Sequence, residues 1–208
     1  AYGTSAAAAA TFTERGPRNV AGRTRAILID AADASGNTWI AGSVGGGVWK
    51  TSDQGSTWTN LSSDMENIAV TTLAQSTIKP QILYAGTGEG WVGNIDAIDG
   101  SGVFKSTDGG KNWNKILFKS TKAGAIDLVM DANNPDVLYS TFWQVYRTPY
   151  KMLGGGPDCG IYKTIDGGKS WEDISENSGL PSRPLGKVGI TVSPVNSNRL
   201  WALVEANN

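Results

Sequence analysis

Residues Gly102 to Trp113 read GVFKSTDGGKNW, and the same chemistry recurs as GVWKTSDQGSTW from Gly47 to Trp58 and GIYKTIDGGKSW from Gly160 to Trp171. Each copy leads from a glycine, a β-branched residue, an aromatic and a lysine into a hydroxyl residue, an aspartate, a glycine and a tryptophan. Val48, Val103 and Ile161 alternate with Lys or small residues, which predicts a half-buried strand, and the neighbouring aromatic adds β propensity. The Asp-x-Gly core predicts a tight turn, with a carboxylate to accept backbone N–H bonds and a glycine free to take positive φ. Trp58, Trp113 and Trp171 then open the next strand, and each ring is best placed over the turn it follows. The unit is strand, turn, strand.

The three aspartates, Asp53, Asp108 and Asp166, are 55 and 58 residues apart. Between them lie further turn and strand signals: a polar turn at Asp33, Gly36 and Asn37, then DANNPDVLY and SPVNSNRLW in the later repeats. Four strands per repeat make the blade of a propeller. Asp30, Asp33, Ser35 and Asn37 have the look of a calcium loop, but a recurring polar turn accounts for them more simply.

The pattern Ser/Thr-x-Asp-x-Gly-x-x-Trp resembles the Asp-box, or bacterial neuraminidase repeat. That repeat is found in β-propellers such as sialidases, xyloglucan-degrading glycoside hydrolases, sortilin-type receptors and a photosystem assembly factor. The resemblance implies an all-β propeller in which Asp53, Asp108, Asp166, Trp58, Trp113 and Trp171 are structural staples on the face away from the active site. On this reading residues 1–11 are a flexible Ala-rich leader and 12–208 a partial propeller. Its blades span about 23–62, 68–118 and 123–175, with a partial fourth at about 186–206. A strand near Leu200 to Glu205 lacks a third-strand partner, so further blades are expected in this or another chain, because an open sheet edge is an aggregation hazard.

Composition narrows the function. Eighteen basic and nineteen acidic residues nearly cancel and form no Lys/Arg run, which argues against a nucleic-acid groove or an anionic membrane surface. No apolar run approaches a spanning helix. The chain has no histidine and a single cysteine, Cys159, so it lacks the usual zinc ligand, the usual general base and an internal disulfide. No metal and no cofactor is expected, and any acid-base chemistry falls to carboxylates. The AYGTSAAAAA start is compatible with the remnant of a secretory leader.

Candidate site residues fall in three stretches. Arg15, Arg18, Arg23 and Arg25 surround Gly16, Pro17 and Gly22, either as an anion clamp or as anchors of a loop. This opening also resembles secreted bacterial repeat-containing glycosyl hydrolases, although it lacks the Phe-Arg-Ile-Pro signature that carries the first catalytic arginine of sialidases. Two long insertions, Thr87 to Ser101 and Trp143 to Cys159, join second to third strands and therefore lie on the face opposite the Asp-box turns. The first places Glu89, Trp91, Asp96 and Asp99 together, and a carboxylate pair ~5 to ~9.5 Å apart is what glycoside hydrolysis needs. Glu89 is the first candidate acid, flanked by Gly88 and Gly90, which would let a substrate approach. The second insertion offers Trp143, Tyr146, Arg147 and Tyr150, suited either to stacking on sugar rings or to covering the blade edge. The expected function is a secreted or cell-surface propeller acting on or binding a glycan. The alternative is a non-catalytic propeller that binds a protein or peptide, or a structural part of an extracellular assembly.

Overall fold

The computed structural model describes residues 22–89 and 98–206. The candidate residues Arg15, Arg18, Trp91 and Asp96 lie outside the described residues, which are strands and loops with no helix. Among them no helix is long and apolar enough to cross a membrane.

Blade one is a four-stranded antiparallel sheet of β1 (Thr24–Ile29), β2 (Trp39–Ser43), β3 (Gly47–Thr51) and β4 (Thr59–Asn60), in that spatial order. Blade two repeats it with β5 (Val70–Gln75), β6 (Leu83–Thr87), β7 (Gly102–Ser106) and β8 (Asn114–Leu117). Blade three begins with β9 (Ala123–Met130) and β10 (Leu138–Gln144). A small ribbon follows, β11 (Tyr146–Arg147) paired with β12 (Met152–Leu153), and then β13 (Gly160–Thr164) and β14 (Glu172–Asp173) complete the blade. A two-stranded sheet of β15 (Leu185–Ser193) and β16 (Asn196–Ala206) packs beyond it.

The blades stack face to face. The core accordingly lies in three layers: Ile40, Val48, Leu73 and Phe104 between blades one and two; Tyr84, Leu128, Phe142 and Tyr162 between two and three; Tyr139, Ile161, Val188 and Ile190 between three and the last sheet. This stacking explains one departure from the sequence reading. Val48, Val103 and Ile161 are fully buried rather than half-buried, because a strand inside a blade is covered on both faces. On the two outer faces large apolar side chains are open: Ile27 and Ile29 on β1, and Trp201 and Leu203 on β16, are exposed.

Register follows from the Asp-box turn. The hydroxyls of Thr51, Ser106 and Thr164 accept the amides of Gly55, Gly110 and Gly168 at 2.8–2.9 Å. The following aspartates accept the amides of Thr57, Asn112 and Ser170 at 2.8–3.0 Å. Each turn is then tied to the first turn of its own blade, where Gln54, Gly109 and Gly167 donate their amides to the carbonyls of Asn37, Gln81 and Asp136. Trp58 and Trp113 fold back over the turn and donate Nε1 to the carbonyls of Gly55 and Gly110, both at 3.1 Å, whereas the Trp171 Nε1 finds no acceptor among the described residues. Asp33 is likewise a turn residue, accepting the amides of Ser35 and Thr38 at 2.9 Å.

Candidate functional site

The inner strands β1, β5, β9 and β15 start at the same end of the molecule, opposite the Asp-box turns. Both insertions leave from that end, after Thr87 and after Gln144. The face is therefore set by strand polarity, and the residue just before each inner strand is delivered to it. Arg23 and Lys122 occupy two such positions, and Lys187 is the third residue of β15.

Glu89 is 3% exposed. Its Oε1 accepts from the Arg23 Nη2 at 2.6 Å and its Oε2 from the Ile98 amide at 3.3 Å, so both oxygens are engaged as acceptors. The carboxylate ties the first insertion to the chain entering blade one. Asp99 is exposed, and its carbonyl accepts the Asn67 Nδ2 at 2.8 Å. Glu89, Asp99, Lys122 and the edge of Trp143 line one narrow cleft. The clefted end thus brings Arg23, Glu89, Asp99 and Lys122 together, two cations and two carboxylates.

Gly88 was expected to open room for a ligand beside Glu89. Instead it packs backbone to backbone: at φ +110°, a Cβ there would stand 2.6 Å from the Gly124 Cα and 2.9 Å from the Gly100 Cα. The glycine is required for close approach of blades two and three.

Trp143 also differs from the expected ligand platform. It is 2% exposed, belongs to the core against β15, donates Nε1 to the Gly154 carbonyl at 3.1 Å, and has Lys187 Nζ 5.3 Å from its ring centre. Its ring is spent on shaping the second insertion. The surface of that insertion is made by the β11–β12 ribbon, where Tyr146 is 60% and Tyr150 97% exposed and Arg147 is half-buried. Cys159 is fully buried beneath it, its Sγ accepting the Gln144 amide at 3.1 Å, and burial pushes the thiol pKa up.

A family model, Sortilin-Vps10, described as "Sortilin, neurotensin receptor 3", matches residues 46–182. The chain belongs to this family. The match runs from the first Asp-box hairpin to beyond the third, so the Sortilin-Vps10 region contains both insertions. A probable oligoxyloglucan-reducing end-specific xyloglucanase of Neosartorya fischeri is 30% identical over 139 residues, covering 64% of this chain. The chain spans 15% of that relative's length. Among solved structures, the GH74 xyloglucanase from Xanthomonas campestris superposes with a TM-score of 0.62 at 15% identity, over 88% of this chain and 26% of that one. The GH74 enzyme of Niastella koreensis gives 0.57 at 22% identity, over 79% and 22%. These two likenesses establish the propeller fold of the Sortilin-Vps10 chain.

Two residues of this face were not singled out from the sequence. Lys122 and Lys187 sit among ordinary surface lysines, and only aligning the chain by blade shows that Lys122, like Arg23, precedes an inner strand. Asp127, midway along β9, was not singled out either: its Oδ2 accepts the Ile190 amide at 3.0 Å across the blade junction, and burial raises its pKa.

Proposed function

We propose that this chain recognises a polysaccharide on the face carrying the two insertions, as part of a larger propeller protein acting outside the cell. The observation that carries the reading is the β11–β12 ribbon with its turn, which leaves Tyr146 and Tyr150 in solvent and Arg147 between them in sequence, at the same end as the cleft of Glu89, Asp99 and Lys122 and the Arg23 paired with Glu89. Exposed phenol rings provide flat apolar faces for sugar rings, and a guanidinium provides a rigid donor fork for hydroxyls or carboxylates. The xyloglucanase name of the curated relative supports a plant-type glucan as the first ligand to try. The exposed Ile27 and Ile29 on one outer face, and Trp201 and Leu203 on the other, support further blades packing against both.

Glu89 serves this reading as a wall of the cleft, since both its oxygens already accept protein donors. Asp99 is the exposed carboxylate to test for hydrolysis.

Titration calorimetry with xyloglucan oligosaccharides tests the proposal. Replacing Tyr146 and Tyr150 by Ala together should weaken binding about tenfold, the product of two stacking contacts. Unchanged affinity in that variant, or no binding of neutral or acidic glycans to the parent protein, would sink it. Release of reducing ends by the parent, lost in Asp99→Asn, would add catalysis to recognition. The half-exposed Met152 and Leu153 on the same ribbon favour a second reading, in which an apolar peptide is the ligand. A protein that ignores glycans but binds such a peptide through Tyr146 and Tyr150 would establish that reading instead.

A further inference from the structure

The junction between blades two and three is latched on the Asp-box face. Tyr84 Oη and Lys105 Nζ of blade two both donate to the carbonyl of Gly167 in blade three, at 3.2 and 2.7 Å, and the lysine lies 5.4 Å from the tyrosine ring centre. The junction between blades one and two has the same register with different residues. Ile40 stands where Tyr84 does, since each faces the Asp-box lysine of its own blade, Lys50 and Lys105; Gly109 stands where Gly167 does. Isoleucine has no hydroxyl to donate. Lys50 is turned away, its Nζ held 2.7 Å from the Asp30 carboxylate, whose other oxygen accepts from Gln75. In blade two Ser76 occupies the place of Asp30, so nothing diverts Lys105 from Gly167.

The result is a space. A pocket of about 300 Å³ opens at this junction, lined by Ile40, Leu83 and Pro80 on the apolar side and by Lys50, Asp30 and Gly109 on the polar side. A Cβ on Gly109 would meet nothing within 4 Å, whereas one on Gly167 would stand 3.2 Å from Lys105 Nζ and 3.7 Å from Tyr84 Oη. An apolar cavity of roughly 150 Å³ is enough to hold benzene, so the volume accommodates a single ring.

We infer that the pocket between blades one and two binds a phenolic ring, which takes the place that Tyr84 fills at the next junction. The ring lies against Ile40, Leu83 and Pro80, and its hydroxyl donates to the Gly109 carbonyl as Tyr84 donates to that of Gly167. The site is on the face opposite the insertions and is independent of the glycan reading. A small phenol and a tyrosine side chain of another protein share this chemistry.

Nuclear magnetic resonance titration of the 208-residue chain with p-cresol tests it. Saturable shifts are expected at the Ile40 methyl groups and the Gly109 amide, and toluene should bind about 5-fold to 10-fold more weakly, the worth of one neutral hydrogen bond. Ile40→Tyr should fill the pocket from within, abolish those shifts and raise the melting temperature. Ile40→Phe serves if the tyrosine variant does not fold, and the mapping on the parent protein stands without either. A Gly-Tyr-Gly peptide shifting the same residues would point to a protein-borne ring; p-cresol acting alone would point to a small phenol. No saturable shift at Ile40 and Gly109, equal binding of toluene, or shifts that persist in the filled variant would each overturn the inference.

Discussion

Lys105 in blade two donates its ammonium to the carbonyl oxygen of Gly167 in the Asp-box of blade three, at 2.7 Å, and Tyr84 donates to the same oxygen. In blade two the Asp-box lysine therefore joins one blade to the next, while the aspartate of the box closes its own turn. Tyr84 is fully buried, and burial pushes its phenol up to about 12, so the hydroxyl keeps its proton throughout the ordinary pH range. Tyr84→Phe should cost about 1 kcal/mol in urea unfolding, the net worth of a neutral hydrogen bond. No change in midpoint would mean that Lys105 alone carries the latch.

The Arg23–Glu89 pair is unequal. The Glu89 side chain has no exposed surface and that of Arg23 is nearly half exposed. Removing the arginine strands a buried carboxylate, so Arg23→Ala should destabilise by about 2–3 kcal/mol, less than a wholly buried pair because water reaches the guanidinium. Glu89→Gln removes the buried charge and keeps an acceptor, and should cost less. Thermal melts of the two variants decide the order, and the reverse order would refute the assignment of Glu89 as the buried partner.

The Asp-box carboxylates set an acid limit. In Asp53 the Thr57 amide, then the Thr57 and Thr51 hydroxyls, lower the pKa to about 2 from an ordinary 3.8. Asp108 is held low chiefly by the Asn112 side chain and Asp166 by the Ser170 hydroxyl. A carboxylate whose folded pKa is depressed stabilises the fold above its unfolded pKa and loses that contribution as pH falls through the folded value. The melting temperature should thus decline as pH drops from about 4 towards about 2, more shallowly in Asp108→Asn. A flat profile across that window would show that the boxes do not limit acid stability.

Asp127 carries the opposite sign. Its pKa is raised by burial, with the Ile190 amide working against the shift. Its ionised form is disfavoured in the folded chain, so its contribution improves as pH falls and is least favourable above the folded pKa. Asp127→Asn keeps an acceptor for the Ile190 amide without the charge, and should raise the melting temperature at pH 7 but not at pH 3. A lower melting temperature at pH 7 would mean that the carboxylate charge is needed at the blade junction.

The propeller was legible in the sequence because its decisive contacts are local. Asp108, Ser106, Gly110 and Trp113 bond to one another within eight residues, so spacing alone specifies the turn, and repetition of the turn specifies the blade. Strand polarity then puts the ends of both insertions on the opposite face. The roles of individual side chains were not legible, because they depend on which blade lies next door. Trp143 reads equally as a sugar platform or as cover for the blade edge, and it is β15 that buries it; Glu89 reads as a candidate acid beside glycines, yet Arg23, 66 residues away, and the backbone of Gly124 close around that corner. The same holds for Ile40, which differs from Tyr84 by a residue type that a strand tolerates equally well. Only the stacking of blade one on blade two turns that difference into a pocket, because a missing ring leaves a space only where two surfaces fail to meet.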